Sequence, residues 1–133
     1  MGVGVKDMVK ELQSRVRQVS PRDVKESLER GEVDLLVDVR ERGEYRKGHV
    51  PGAINVCRGL LELRADPATP FTDPALSANP GARIVVYCLQ GPGFRSLSAS
   101  DTLARMGFSS VSAMTAGMTG WSEAGFPIEA DAE

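Results

Sequence analysis

The chain has 133 residues, 41% of them hydrophobic and 26% charged, with a formal net charge of −2; these values fit one compact domain with its own core. So balanced a charge offers no basic face for nucleic acid or an anionic membrane surface. The longest apolar runs, around Leu35-Leu36-Val37 and Ile84-Val85-Val86, are strand-sized and far short of a bilayer span, and no signal-peptide core follows Met1. Small molecules or proteins are therefore the expected partners, with no nucleic acid and no membrane, and the expected location is cytoplasmic.

In chain order, Val5, Met8, Val9, Leu12, Val16 and Val19 recur near a helical period among Lys, Arg, Glu and Gln. This pattern predicts an N-terminal amphipathic helix within 1–19, ahead of a domain over 20–130. Ser20-Pro21-Arg22-Asp23 offers an N-cap, a proline at the first helical position and an acid at the third, and Gly31 a stop, so a short helix is expected over roughly Pro21 to Arg30. Asp34 to Arg40 reads as a strand whose end carries an acid and a base. Glu41 to Lys47 reads as a short polar helix or turn, Gly48 to Gly52 as a turn, and Ala53 to Val56 as a strand. A helix is expected over Gly59 to Arg64, then mostly loop from Asp66 to Gly81, with one helical turn near Asp73 to Leu76. Arg83 to Cys88 reads as a strand, Ser96 to Met106 as a helix stopped by Gly107, Ser109 to Met114 as a strand, and Gly117 to Ala124 as a last helix carrying Trp121. Strands alternating with helices predict an α/β domain, its central, mostly parallel β-sheet covered by helices on both faces. Ligands of such sheets sit at the carboxyl ends of strands, where Arg40 and Cys88 fall.

Cys88 is followed by Leu89-Gln90-Gly91-Pro92-Gly93-Phe94-Arg95-Ser96, a glycine-bearing loop that runs into a helix. A thiol at a strand end, facing a helix N-terminus and surrounded by loop N–H groups, is placed to serve as a thiolate nucleophile or beside a bound anion. The second cysteine, Cys57, also follows a strand. Without a secretion signal both thiols are expected to be reduced; Cys57 reads as packing, with a resolving thiol for Cys88 as the alternative. The single histidine, His49, reads as a turn residue, and no cluster has zinc-ligand spacing, so no metal is expected. No glycine motif with a Lys-Ser/Thr ending occurs, and no cofactor is expected. Asp38 and Arg40 either brace their strand end as an ion pair or line the pocket floor.

Asp38-Val39-Arg40-Glu41, Glu44-Tyr45 and Gly48-His49-Val50-Pro51-Gly52-Ala53-Ile54-Asn55-Val56 together resemble the first signature of rhodanese-homology domains. Tyr87-Cys88, Arg95-Ser96, Ala99, Leu103, Met106-Gly107-Phe108, Val111, Ala116-Gly117, Trp121 and Gly125-Phe126-Pro127 are similar to the second. The resemblance runs from about Ser20 to Ile128. It implies a single rhodanese-like domain and a sulfurtransferase-like activity, with the nucleophile at Cys88 and the loop-closing pair at Arg95-Ser96. Two departures stand out. The usual loop of this family has four residues between cysteine and arginine, and related arsenate reductases and phosphatases have five. This chain has six, Leu89 to Phe94; aligning Gly91 marks Pro92-Gly93 as an insertion that widens the cradle. Where the family carries a late Gly-Gly, the chain reads Gly117-Met118.

A thiolate that attacks the outer sulfur of thiosulfate or a persulfide becomes Cys–S–S⁻, whose charge needs donors around it. The N–H groups of Leu89, Gln90, Gly91, Gly93, Phe94 and Arg95 are available for that role, and Pro92 has none. Arg95 either orients an oxyanion directly or ties the loop to a neighbouring acid. The leading expectation is a sulfurtransferase or persulfide carrier that passes sulfane sulfur from Cys88 to a thiol, protein or other thiophilic acceptor. One alternative is an arsenate reductase or phosphatase-like enzyme using the enlarged loop for an oxyanion; the other is a non-catalytic interaction or signalling module.

Overall fold

In the computed structural model, which describes residues 2–91 and 93–131, five strands make one sheet. They are β1 (Arg17–Val19), β2 (Leu35–Asp38), β3 (Ile54–Asn55), β4 (Arg83–Tyr87) and β5 (Ser110–Met114), arranged β1-β5-β4-β2-β3. All four pairings are parallel, so every strand delivers its carboxyl end to the same edge. Parallel neighbours require crossover connections. Helices supply them: α2 (Pro21–Glu29), α3 (Arg42–Lys47), α4 (Leu61–Ala65), α5 (Pro74–Ser77) and α6 (Phe94–Arg105), with α1 (Val5–Arg15) ahead of β1 and α7 (Gly117–Glu123) after β5.

Side-chain alternation along β4 shows why the sheet is covered twice. Ile84 and Val86 join Val37, Leu61, Ala99 and Leu103 in one buried cluster. Val85 and Tyr87 join Val24, Leu36, Met118 and Trp121 in the other. Each fully buried aliphatic side chain in these layers contributes about 1.5–3 kcal/mol. The fold is the α/β arrangement that the alternation of elements predicts. No helix among the described residues is long and apolar enough to cross a membrane.

Most elements fall where the sequence places them, and three boundaries move for identifiable reasons. The first helix stops at Arg15, short of the expected 19. Val9, Leu12 and Val16 pack on Leu97 and Ala113, and Arg17 to Val19 then pair with Ser112 to Met114 as an edge strand. The open edge of β5 offers this segment hydrogen bonds that another helical turn would forgo. The helix expected over Gly59 to Arg64 is split into a 3-10 turn, Arg58–Leu60, and α4. The last is α6, which begins at Phe94 rather than Ser96 because Gly93, at φ +73°, turns the chain and accepts the Leu97 N–H at 2.9 Å. By contrast, α2 begins as read: Ser20 Oγ accepts from the Asp23 amide and the Asp23 carboxylate accepts from the Ser20 amide.

At the start of α7, Ala116 and Gly117 take successive left-handed conformations, φ +59° and +52°. Met118 is ordinary helix, and Ala116 is the residue that occupies a backbone suited to glycine. A Cβ added at Gly120 would run into the Ala116 Cβ, so the two positions are coupled. Gly120→Ala is expected to destabilise the protein by about 1–3 kcal/mol through overpacking. Ala116→Gly should be neutral or stabilising by up to about 1 kcal/mol, because it relieves the left-handed strain. The double variant should regain most of the Gly120→Ala loss. Urea unfolding of all four proteins measures this, and strict additivity would show that the two sites do not meet.

Candidate active site

Cys88 is the first residue beyond β4, a central strand, and it is only 3% exposed. Its Sγ lies 3.4 Å from Ser96 Oγ, and the Ser96 hydroxyl donates to the Gly93 carbonyl at 3.0 Å. Thiol, hydroxyl and carbonyl therefore form a short chain within one turn of α6. A Cβ at Gly93 would sit 3.1 Å from Ser96 Oγ and 3.8 Å from the sulfur, so glycine keeps this side of the sulfur clear while it makes the left-handed turn. The first backbone bond of α6 comes from Leu97, which leaves the N–H groups of Phe94, Arg95 and Ser96 without an intrahelical acceptor. Leu89, Gln90, Gly91 and Phe94 are exposed around the loop. Of the expected insertion, Gly93 is placed as above and Pro92 lies outside the described residues.

The back of the loop is fixed by α7. The Met118 amide donates to the Cys88 carbonyl at 2.9 Å and the Thr119 amide to the Leu89 carbonyl at 2.8 Å. A Cβ on Gly117 would come within 2.5 Å of the Cys88 carbonyl oxygen and 2.6 Å of the Leu89 carbonyl carbon. Only glycine allows that approach, at a φ that also suits glycine.

Two ion pairs close the front. Arg95 forms a bidentate pair with Glu44 of α3, at 2.8 and 3.3 Å. Glu44 Oε1 also accepts the Glu41 amide at 3.0 Å, completing a capping box. The Arg95 hydrogen bonds, opposed by burial, hold the Glu44 carboxyl below its usual range. Glu44 was not singled out as a site residue from the sequence; its three-residue spacing from Glu41 is the signal that marks it as a cap. Behind this pair, Arg40 clamps Asp38 through Nε and Nη2, both side chains buried, and donates from Nη2 to the Gly48 carbonyl at 2.7 Å. Burial opposes the charge on Arg40, but the hydrogen bonds and charge of Asp38 prevail and raise its pKa. Asn55 Nδ2 donates to the carbonyls of both Asp38 and Arg40. Asp38 and Arg40 thus brace the strand end, and Arg40 also lines the adjoining groove.

Cys57 and Cys88 are free thiols on either side of β2. The Val56 and Arg58 amides bond to Asp38 and Val39, and the Val39 amide to Tyr87, so the cysteines sit at similar levels two strand spacings apart. That separation is about 9–10 Å, beyond the ~7 Å between Cα atoms that a disulfide spans. A Cys57–Cys88 bond would require the sheet to move. His49 is buried, stacked on Tyr45 at 3.9 Å, with its ring nitrogens 3.0 Å from the Val50 carbonyl and 2.9 Å from Asp131 Oδ1. His49, Glu129 and Asp131 form the one grouping among the described residues whose side chains could converge on a cation; residue spacing along the chain could not reveal it.

Because the Glu44 pKa is depressed on folding, the Arg95–Glu44 pair contributes stability above the ordinary glutamate pKa of 4.5, and that contribution is lost as pH falls through the lower folded value. Glu44→Gln should therefore cost about 0.5–1 kcal/mol near neutrality and flatten the stability profile below pH ~4.5. Thermal melts of both proteins across the acid range test this; parallel profiles would show that the pair contributes nothing.

The family model of the Rhodanese-like domain matches residues 20–124. A solved structure from Rhodopseudomonas palustris, of a protein of unknown function described as a possible tyrosine phosphatase, superposes with a TM-score of 0.86 at 32% identity, covering 97% of this chain and 96% of that one. The Bacillus subtilis protein YrkF, named a candidate sulfur carrier, is 30% identical over 108 residues, 81% of this chain and 52% of YrkF, so the chain spans about half the length of that relative. A protein of Allochromatium vinosum named a sulfurtransferase is 27% identical over 115 residues, 86% of this chain and 96% of that protein. With a match that takes in the β4 strand, the Cys88 loop and both bracing ion pairs, the chain belongs to the rhodanese-like domain family.

Proposed function

We propose that the protein is a sulfurtransferase in which Cys88 carries sulfane sulfur from a persulfide or thiosulfate donor to a thiol, protein or other thiophilic acceptor. The observation that carries this reading is the position of the Cys88 sulfur against Ser96 Oγ at the mouth of α6, inside a loop whose N–H groups meet no backbone acceptor among the described residues. The sulfur of Cys88 attacks the outer sulfur of the donor. A new S–S bond forms, the donor's own S–S bond breaks, and its electron pair leaves on a thiolate or, from thiosulfate, on sulfite. The Ser96 hydroxyl, which donates to Gly93 when the thiol is protonated, turns to donate to the sulfur when it is charged. Loop amides of Leu89, Gln90, Gly91 and Gly93 and the N-terminus of α6 then face the persulfide that results.

Arg95 acts in this reading through the loop, since both of its terminal nitrogens are engaged by Glu44. A doubly charged thiosulfate therefore meets neutral donors rather than a free guanidinium, and a monoanionic or neutral persulfide is the better donor. A second reading, hydrolysis or reduction at a tetrahedral oxyanion, draws support from the resemblance to the possible tyrosine phosphatase and from the six-residue spacing between Cys88 and Arg95.

Intact-mass measurement after incubation with a persulfide should show one added sulfur, mapped to Cys88 and absent from Cys88→Ser. Cys57→Ala should turn over as the wild type does. Ser96→Ala should lower kcat/KM by ~10- to 100-fold, the loss expected for one hydrogen bond to a charged group. Turnover of arsenate or an aryl phosphate, with no sulfur loading by any donor, would replace sulfur transfer with the second reading.

A further inference from the structure

Beyond α7, residues 127–131 cross the turn between α3 and β3. His49 and Glu129 exchange both main-chain bonds as an antiparallel pair, at 2.8 and 2.9 Å, and the Asp131 amide donates to the Arg46 carbonyl at 3.0 Å. The start of the crossing is fixed by Trp121, whose indole N–H donates to the Pro127 carbonyl at 2.7 Å. Residues paired directly across an antiparallel ladder, and residues two apart along it, project to one side. Backbone register therefore brings Glu129 and Asp131 to the His49 ring, and one ligand atom from each of the three lies within 4.8 Å of the others.

The ring is held as a metal-ligating imidazole is held. It is 2% exposed and stacked on Tyr45, whose hydroxyl is anchored to the Ala53 carbonyl at 2.6 Å. Nδ1 lies 3.0 Å from the Val50 carbonyl, which can only accept, so the ring donates from Nδ1. Such a bond to a backbone carbonyl is the usual outer partner of a histidine that binds metal through its other nitrogen. In the neutral ring it leaves a lone pair on Nε2, aimed at Asp131 Oδ1 2.9 Å away. Two acceptors face each other at that distance only with a cation between them. A second proton on the ring would serve Asp131 alone. The Glu129 carboxylate, which has no hydrogen-bond or ion-pair partner of its own among the described residues, would stay unbalanced. A neutral imidazole beside two carboxylates is matched in charge by one divalent ion.

We propose that His49 Nε2, Glu129 and Asp131 bind a divalent first-row transition ion of the Zn²⁺ type, with water on its solvent side. One imidazole and two carboxylates suit such an ion, and rotation of the two exposed carboxylates brings all three ligands to the ~2.0–2.2 Å that Zn²⁺ requires. Mg²⁺, which takes oxygen ligands and gives up water reluctantly, suits the site poorly. The role of the ion is structural. The turn after α3 presents the Gly48 carbonyl to Arg40 and the Val50 amide to the Tyr87 hydroxyl, so a cation at His49 staples residues 127–131 onto the frame of the carboxyl edge. It touches no reacting atom, and the inference is independent of the sulfur-transfer reading.

The test titrates Zn²⁺ into the untagged chain and reads the His49 ring, the only imidazole in the sequence, by long-range proton–nitrogen NMR, with calorimetry for stoichiometry. One equivalent should bind and move the Nε2 resonance to a metal-bound position while Nδ1 stays protonated; Mg²⁺ at the same concentration should leave both in place. Glu129→Gln and Asp131→Asn, both at exposed positions, should each weaken Zn²⁺ binding by about tenfold or more, and the double variant should abolish it. Added Zn²⁺ should raise the melting temperature of wild type with its free concentration and leave that of the double variant unmoved. Because Cys57 and Cys88 are free thiols that compete for Zn²⁺, the titration is repeated in Cys57→Ala/Cys88→Ser, where binding and the His49 shift should persist. Loss of binding in that variant, or affinity unchanged in both carboxamide variants, would overturn the site. Ring signals that titrate with pH and ignore Zn²⁺ would assign the space between His49 and Asp131 to a second proton and overturn it likewise.

Discussion

The contact on which the carboxyl edge of the sheet depends is the approach of the Gly117 backbone to the Cys88 and Leu89 carbonyls. A Cβ at residue 117 would lie within 2.5 Å of the Cys88 oxygen, so any other residue would push α7 away from the Cys88 loop. With glycine there, two amides of α7 bond to the two carbonyls directly around Cys88. The loop is thereby held from behind by backbone alone, and the side chains of Leu89 and Gln90 are left exposed. The same approach makes α7 one wall of the groove beside the loop, so Cys88 and the surface next to it are positioned by one constraint.

The front of the site is held differently, by charge. Asp38 and Arg40 are almost wholly buried and bidentate, and removing either partner of such a pair costs about 3–5 kcal/mol because the other is left charged and unpaired. Their role is geometric: the Arg40 bond to the Gly48 carbonyl and the Asn55 bonds to both carbonyls tie the β2 end to the turn after α3 and to β3. Arg95 and Glu44 are about a third exposed and hold α3 to the first turn of α6 with far less energy. The strong pair sets the frame and the weak one sets the loop's position against it.

A consequence for chemistry follows from how fully these charges are consumed. Arg40 and Arg95, guanidinium groups that flank the Cys88 loop at the carboxyl edge, both face carboxylates. The sulfur itself lies against the Ser96 hydroxyl and the Gly93 turn, and the Arg95 guanidinium, already paired with Glu44, is near enough to feel its charge. In the sulfur-transfer reading proposed above, such a cradle suits an intermediate of single charge spread over sulfur.

Local sequence was enough to determine most of the segments that become strands and helices, β1 excepted, because period-two apolar runs and caps such as Ser20 with Asp23 act within a few residues. It also marked Cys88, Arg95 and Ser96 as one loop, since strand, glycines and helix start are contiguous, and it placed Asp38 and Arg40 at a strand end. It did not show that Arg95 would meet Glu44, which lies 51 residues away, or that residues 17–19 would leave the helical pattern of α1 to complete the sheet edge. Nor could spacing along the chain show the separation of Cys57 from Cys88 by an intervening strand, or the convergence of Glu129 and Asp131 on His49. Each of these depends on the strand order β1-β5-β4-β2-β3. That order is decided by burying both sheet faces at once, a property of the whole chain rather than of any segment.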